Sequence, residues 1–318
     1  MRAMRVRTLG ARMVAEDLPD PVPGPGEVRI QVRACGVNFA DTLMIDGRYQ
    51  ERQAPPFTPG MEVCGTVAAL GPGAEPALLG RRVAAMPGAG GFAEAVCLPA
   101  AACVPVPEGM TDAQAAGFII AYATSLIALQ RAALAPGETL LVLGAAGGVG
   151  LTAVEVGRQM GATVIACARG AGKLAVARRA GAHHLIDSDG ADLRAEVKAL
   201  GGADVVYDPV GGALFDQALR ATRPGARLLP LGFASGTVPQ IPANILLVKN
   251  LSVIGFYLGG HARLHPEALP RALQTLFDWF DQGCIAPHVS HEVPLDRAND
   301  ALELLRSRAA TGKVVVTI

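Results

Sequence analysis

The 318-residue sequence lacks a net charge, since 28 Lys and Arg balance 28 Asp and Glu. It therefore offers no broad basic field to a phosphate backbone, which argues against nucleic acid as its partner. It also lacks paired cysteines. Cys35, Cys64, Cys97, Cys103, Cys167 and Cys284 include no Cys-x-x-Cys, so neither a zinc cluster nor a redox dithiol is signalled, and each reads as a small buried apolar residue. Arg2, Arg5, Arg7 and Arg12 have no apolar core between them, unlike a secretory leader. Two long uncharged stretches fall short of membrane spans. Residues 113–130 carry Gln114, Gly117, Thr124, Ser125 and Gln130 and read as a buried helix or helix pair, while residues 228–248 are broken by Pro230, Pro239 and Pro242. A soluble cytoplasmic protein is expected.

What the chain has in plenty is punctuation, with 38 Gly and 23 Pro set between apolar runs and following no collagen-like period. Its length points to two domains, because single cores rarely grow past about 250–300 residues. Val28, Ile30, Val32 and Ala34 alternate with Arg29, Gln31 and Arg33, as in a strand with one wet face, and turn signals recur at Pro23–Gly26, Gly71–Gly73 and Pro87-Gly88. The first hundred residues read as a β barrel or sandwich. From about residue 120 apolar runs alternate with helix-length segments, with strands expected at 139–143, 163–168, 184–186, 204–207, 227–231 and 251–255. Alternation of that kind implies right-handed crossovers and a doubly wound parallel sheet. The tail offers helices at 266–281 and 295–308 and a strand at 313–318, too little for a third core, and is expected to complete the first domain.

The sharpest motif is Gly144-Ala-Ala146-Gly147-Gly148-Val149-Gly150, directly after the expected strand 139–143 and before a helical pattern at 149–160. Glycines there let the backbone turn tightly and approach a pyrophosphate, and the helix start supplies free N–H groups and a positive dipole end. A site for NAD places an acid on the ribose hydroxyl about 20 residues on, yet no Asp or Glu lies between Val156 and Ile186. Arg169 and Lys173 follow the second strand instead. Two cations and a missing acid fit a 2'-phosphate, so NADPH is expected; the alternative reading is that both are merely solvated.

Several motifs in order resemble the medium-chain dehydrogenase/reductase superfamily, in its zinc-free NADPH:quinone oxidoreductase branch. They are Cys35-Gly-Val-Asn38-Phe-Ala-Asp41-Thr42, Pro59-Gly-Met61-Glu62 with Gly65, the Gly144–Gly150 turn, Tyr207-Asp208-Pro-Val-Gly211-Gly212, Gly232-Phe233-Ala-Ser-Gly236 and Thr311-Gly312-Lys313-Val314. The resemblance implies an α/β protein, a GroES-like β-rich catalytic domain (residues 1–120 and 258–318) plus a doubly wound Rossmann domain (residues 121–257) that binds NADPH. It also implies a cleft between them and a homodimer paired through the edge strand near residues 251–255. In the alcohol-dehydrogenase relatives a Cys stands at the position of Asn38 and a His at that of Met61. With neither ligand present, the resemblance is to the metal-free members.

Loss of that metal constrains the chemistry. Reducing a simple ketone creates an alkoxide whose conjugate acid has a pKa of about 16, a charge that zinc normally carries. Hydride addition to a quinone or an enone gives a delocalised anion with a phenol-like pKa of about 10, a difference on the order of 8 kcal/mol. Electron-poor conjugated acceptors are therefore expected as substrates. Enoyl thioesters and haloacrylates share that chemistry, and a non-catalytic NADPH-binding or sensor protein stands as an alternative of another class.

By resemblance the catalytic candidates are Asn38, Asp41 and Tyr49, with Asn38 donating to a carbonyl and Tyr49 supplying a proton. For Asn38 and Asp41 a second reading stands beside this one, in which they organise a turn through side-chain to backbone bonds. The cofactor contacts implied are Thr124, the turn residues Gly144, Ala146, Gly147, Gly148, Val149 and Gly150, then Arg169, Lys173, Ser188, Asp208, Gly232, Phe233, Phe256, Tyr257 and Lys313, with Lys313 reaching the cofactor from the returning tail. Many relatives have a tyrosine near Ser188, whose ring Ser188 cannot replace, so phosphate affinity rests more on Arg169 and Lys173.

Overall fold

The alternating segment around Val28 forms the strand Glu27–Val37, burying Val28, Ile30, Val32 and Ala34 while Gln31 and Arg33 face solvent. Beyond Ala34 the alternation stops, because Cys35, Gly36 and Val37 are all buried. This strand is the spine of a seven-stranded sheet, pairing antiparallel with Glu62–Leu70, Ala95–Pro99 and Lys313–Thr317. The register opposes Gly36 to Glu62 on one side and Val37 to Val314 on the other. Asn38, Glu62 and Lys313 are thereby delivered to one end of the sheet.

The computed structural model describes residues 1–318 and divides into two units, Met1–Ile120 with Pro287–Ile318, and Ala121–Ala286. The second unit holds a six-stranded parallel sheet in the spatial order His184–Asp187, Thr163–Ala168, Thr139–Leu143, Ala203–Asp208, Thr222–Pro230, Ser252–Val253. That order reverses direction beside Thr139–Leu143, the doubly wound pattern whose switch point is a ligand crevice. Its central strands are covered on both faces, so they read as continuous apolar runs; every residue of Thr139–Leu143 is buried.

The structure moves one boundary. Residues 258–286 were expected with the first domain but cluster with the second unit. They form two helices, Leu258–Leu264 and Ala268–Asp281, and the second buries a stripe of Ala272, Leu273, Leu276 and Phe277. Ala268, Ala272 and Thr275 face Ile127 and Gln130 of helix Ile119–Arg131 across one pocket. Only the tail from Pro287 completes the first unit. Two strands depart from the expected bounds by more than a residue at an end. Thr222–Pro230 starts ahead of the expected 227, running through Pro224 and Gly225, and the edge strand shrinks from 251–255 to Ser252–Val253. The uncharged stretch 113–130 is a helix pair, Asp112–Ala116 and Ile119–Arg131, and no helix is long and apolar enough to cross a membrane.

Candidate active site

The glycine turn connects strand Thr139–Leu143 to helix Gly148–Gln159. Gly144 sits at φ +61°, and a Cβ there would come within 2.9 Å of Val210, so glycine is required on both counts. A Cβ on Gly150 would lie 2.2 Å from the Gly144 carbonyl oxygen, so the helix start packs directly on the turn. Ala145 donates its N–H to Cys167 and Gly147 to Gly144, which pins the loop. The helix has no side-chain cap, and the N–H groups of Gly148, Val149 and Gly150 meet no acceptor in the protein. Three open donors at a positive dipole end form an anion site of the kind a pyrophosphate fills.

The other expected contacts are placed as follows. Ser188 donates its N–H to Ala168 at 3.0 Å, which sets it beside the loop carrying exposed Arg169 and half-buried Lys173. Thr124 is half-buried on helix Ile119–Arg131. The segment from Gly232 and Phe233 folds over the turn at Asp208, with Ala234 donating to Pro209 and Ser235 to Val210. Farther along, Phe256 packs against His261 with ring centroids 5.4 Å apart, and Tyr257 lies under the Arg263 guanidinium at 5.8 Å.

Asp208 departs from its expected role as a cofactor contact. Fully buried, it accepts N–H bonds from Val210 at 2.7 Å and Gly211 at 2.9 Å, so its carboxylate builds the turn that sets Val210 against Gly144. Burial pushes its pKa up, opposed by those two N–H groups.

The first unit gathers a second polar cluster. Lys313 Nζ lies 2.8 Å from both Asn38 Oδ1 and Glu62 Oε1, and the pair with Glu62 is an ion pair with side chains 9% and 1% exposed. Asn38 Nδ2 donates to Glu62 Oε1 at 3.0 Å and to the Gly36 carbonyl at 3.3 Å. Glu62 Oε2 accepts from the Ile120 N–H at 3.0 Å. Gly117 makes room for the lysine stem, since a Cβ there would lie 3.1 Å from Lys313 Cβ and Cγ.

These bonds revise three assignments. Both protons of the Asn38 amide already have acceptors, so it has none left for a substrate carbonyl. Asp41 is a helix cap: Oδ2 accepts from the Asn38 N–H at 2.8 Å and Oδ1 from the Gly60 N–H at 3.1 Å, completing a capping box at helix Phe39–Ile45. Burial pushes its pKa up to about 7, against the pull of those two N–H groups and of Lys313. Lys313, expected at the cofactor, is anchored on Glu62 and Asn38 instead. Tyr49, 8% exposed, follows the same helix and keeps its place among the catalytic candidates.

Sequence reasoning passed over a hydroxyl chain in the second unit. Ser125 Oγ lies 2.8 Å from Thr152 Oγ1 and 3.0 Å from the Tyr207 hydroxyl, and donates to the Val149 carbonyl at 3.1 Å. This ties the helix bearing Thr124 to the helix that starts at the glycine turn. One turn along, the Tyr122 hydroxyl donates to Glu155, which also accepts from the Ala286 N–H, and burial pushes the Glu155 pKa up to about 7. Nothing in the one-dimensional pattern marked Thr152 or Glu155 apart from ordinary polar residues, and Glu62 stood out only as part of a family motif.

A β-rich unit completed by a returning tail, together with a doubly wound sheet opening on an uncapped glycine turn, defines a two-domain nucleotide-dependent oxidoreductase of the medium-chain type. Comparison narrows the class. Residues 24–108 match the alcohol dehydrogenase GroES-like domain and residues 148–278 the zinc-binding dehydrogenase family. The quinone oxidoreductase-like protein 2 homolog of Nematostella vectensis is 39% identical over 99% of this chain and 88% of its own length. Among solved structures, the quinone oxidoreductase of Thermus thermophilus, solved also in complex with NADPH, is 37% identical with a TM-score of 0.90 over the whole of both chains. The Escherichia coli quinone oxidoreductase complexed with NADPH is 27% identical with a TM-score of 0.93 over the whole of both chains. The chain belongs to the quinone oxidoreductase branch of the medium-chain dehydrogenase/reductase superfamily.

The zinc in the name of one matching family does not fit the residues here. A catalytic zinc takes at least three Cys, His or carboxylate ligands, and no three such side chains converge in this chain. At the two ligand positions stand an amide already bonded at both ends, Asn38, and a buried thioether, Met61.

Proposed function

We propose that this oxidoreductase takes NADPH and reduces quinones or enones, with the product anion stabilised by its own delocalisation. The observation that carries this reading is the closed Asn38–Glu62–Lys313 cluster at the metal-ligand position, which leaves no donor set for a Lewis acid. An acceptor whose product needs no metal to hold its charge suits such a site. NADPH bound at the glycine turn would supply the hydride. The N–H groups of Gly148, Val149 and Gly150 hold the pyrophosphate, Arg169 and Lys173 the 2'-phosphate, and Thr124 the nicotinamide end. Tyr49 is the proton donor that remains after Asn38 and Asp41 are withdrawn.

A substrate panel followed by NADPH absorbance at about 340 nm tests this. Quinones or enones are expected to turn over, simple ketones to be inert, and Tyr49→Phe to slow enone reduction more than quinone reduction. Enoyl thioesters and haloacrylates belong on the same panel, because they also give delocalised anions. Tight NADPH binding with no acceptor turned over would favour a binding or sensing protein instead. That second reading draws support from Asn38 and Asp41, whose polar atoms are already engaged.

The assembly proposed is a homodimer. Ser252–Val253 is an edge strand, and the neighbouring helix Ala243–Lys249 exposes Leu247 and Val248 at 78% and 75%. A monomeric mass by light scattering would overturn this.

A further inference from the structure

The stretch between Val156 and Ile186 contains no acid, and Asp187 is the first residue beyond it. Sequence distance conceals where that acid sits. Strands Thr163–Ala168 and His184–Asp187 are parallel neighbours whose register pairs Asp187 with Ala168. Asp187 is therefore level with the end of the second strand of the nucleotide fold, one strand to the side of the position where an NAD site carries its ribose acid. Its Oδ1 accepts the Gly170 N–H at 2.9 Å, at the start of helix Gly170–Arg179, and the Asp189 N–H at 3.0 Å. Oδ2 meets no donor in the protein. The carboxylate thus stands between the loop bearing Arg169 and Lys173 and the residue that follows it, Ser188. Backbone N–H groups, and no cationic side chain, hold its pKa below the ordinary carboxylate value, so the negative charge is present throughout the working pH range.

We propose that Asp187 is a specificity-determining residue, a fixed negative charge at the loop of Arg169 and Lys173 that opposes the 2'-phosphate and keeps the nucleotide site open to NADH as well as NADPH. This rests on the reading of the glycine turn and its two cations as an NADPH site. A 2'-phosphate carries up to two negative charges, and a carboxylate bonded to the start of helix Gly170–Arg179, on the loop that bears the two cations, repels it. The 2'-hydroxyl of NADH carries no charge, and Oδ2 can accept its proton. One residue therefore acts in opposite directions on the two cofactors.

The test is fluorescence titration of the whole protein, wild type and Asp187→Asn, with NADPH and with NADH at low and high salt. Asparagine keeps an acceptor oxygen for the Gly170 and Asp189 N–H groups and removes the charge. The dissociation constant for NADPH is expected to fall about fivefold to tenfold while that for NADH stays level or rises, and the gain is expected to shrink at high salt. An unchanged NADPH-to-NADH ratio in a variant with wild-type melting temperature would overturn the proposal. Parallel weakening of both cofactors would also overturn it, since Asp187 would then only hold the loop. If the wild-type protein binds neither nucleotide, the NADPH reading itself fails and the proposal falls with it. Asp187→Ala serves as the control that loses both charge and acceptor.

Discussion

The two polar centres of this protein solve opposite problems. In the first unit Asn38, Glu62, Asp41 and Lys313 satisfy one another almost completely. In the second, the glycine turn leaves three helix N–H groups with nothing to bind. A saturated network holds the fold and offers little to a visitor, whereas an unsaturated one is a standing affinity for an anion. Chemically conspicuous residues are thus poor guides to open donors; here the open donors belong to backbone that no side chain caps.

The comparison is broken most forcefully at Lys313. Lys313→Met leaves the Glu62 carboxylate buried without its cation, and a loss of about 3–5 kcal/mol is expected in urea unfolding. Glycine at position 150 sets the geometry of the open centre. Gly150→Ala forces a Cβ to within 2.2 Å of the Gly144 oxygen, and a loss of up to about 3 kcal/mol is expected in urea unfolding, with affinity for NADPH and NADH falling together in calorimetry. Removing the cations sharpens the contrast. Arg169→Ala with Lys173→Ala is expected to raise the Michaelis constant for NADPH by roughly tenfold or more, about 1.4 kcal/mol per tenfold, while that for NADH barely moves; equal effects on both would sink the 2'-phosphate assignment.

The smallest effect is a pH dependence. Burial pushes Glu155 up to about 7 from an ordinary 4.5, so the folded state binds its proton more tightly than the unfolded chain does. The stability it contributes is full at low pH and declines as pH rises from about 4.5 to about 7. Asp41 adds a slope of the same sign from the first unit, since its pKa is also pushed up to about 7. Glu155→Gln is expected to flatten the second unit's share, so melting temperatures of the variant at pH 5 and pH 8 should lie closer together than those of the wild type.

Much of the fold was legible because periodicity survives folding. The buried strands Thr139–Leu143 and Thr163–Ala168 fall where their apolar runs placed them, and the glycine turn opens the expected helix. The boundary at 258 was misplaced because helix Ala268–Asp281 has an apolar stripe that says only that it packs, not against which unit. The site was less legible, for a related reason. Asn38 and Asp41 stood out by type, but whether an amide or a carboxylate is available depends on its neighbours, and those come from as far away as Lys313. Likewise the acid missing from the stretch before Asp187 was missing only along the chain. Parallel pairing restores it in space.

The pair between Glu62 and Lys313 spans 251 residues of sequence, and the whole second unit is threaded between its two ends. On the ribosome this sets an order of events. Residues 121–286 form an uninterrupted block and can close their sheet as soon as they emerge, while the first unit must wait with an unpaired carboxylate and an open sheet position until strand Lys313–Thr317 is made. For that interval the nascent chain carries one sheet whose strands are all made and another that still lacks a strand.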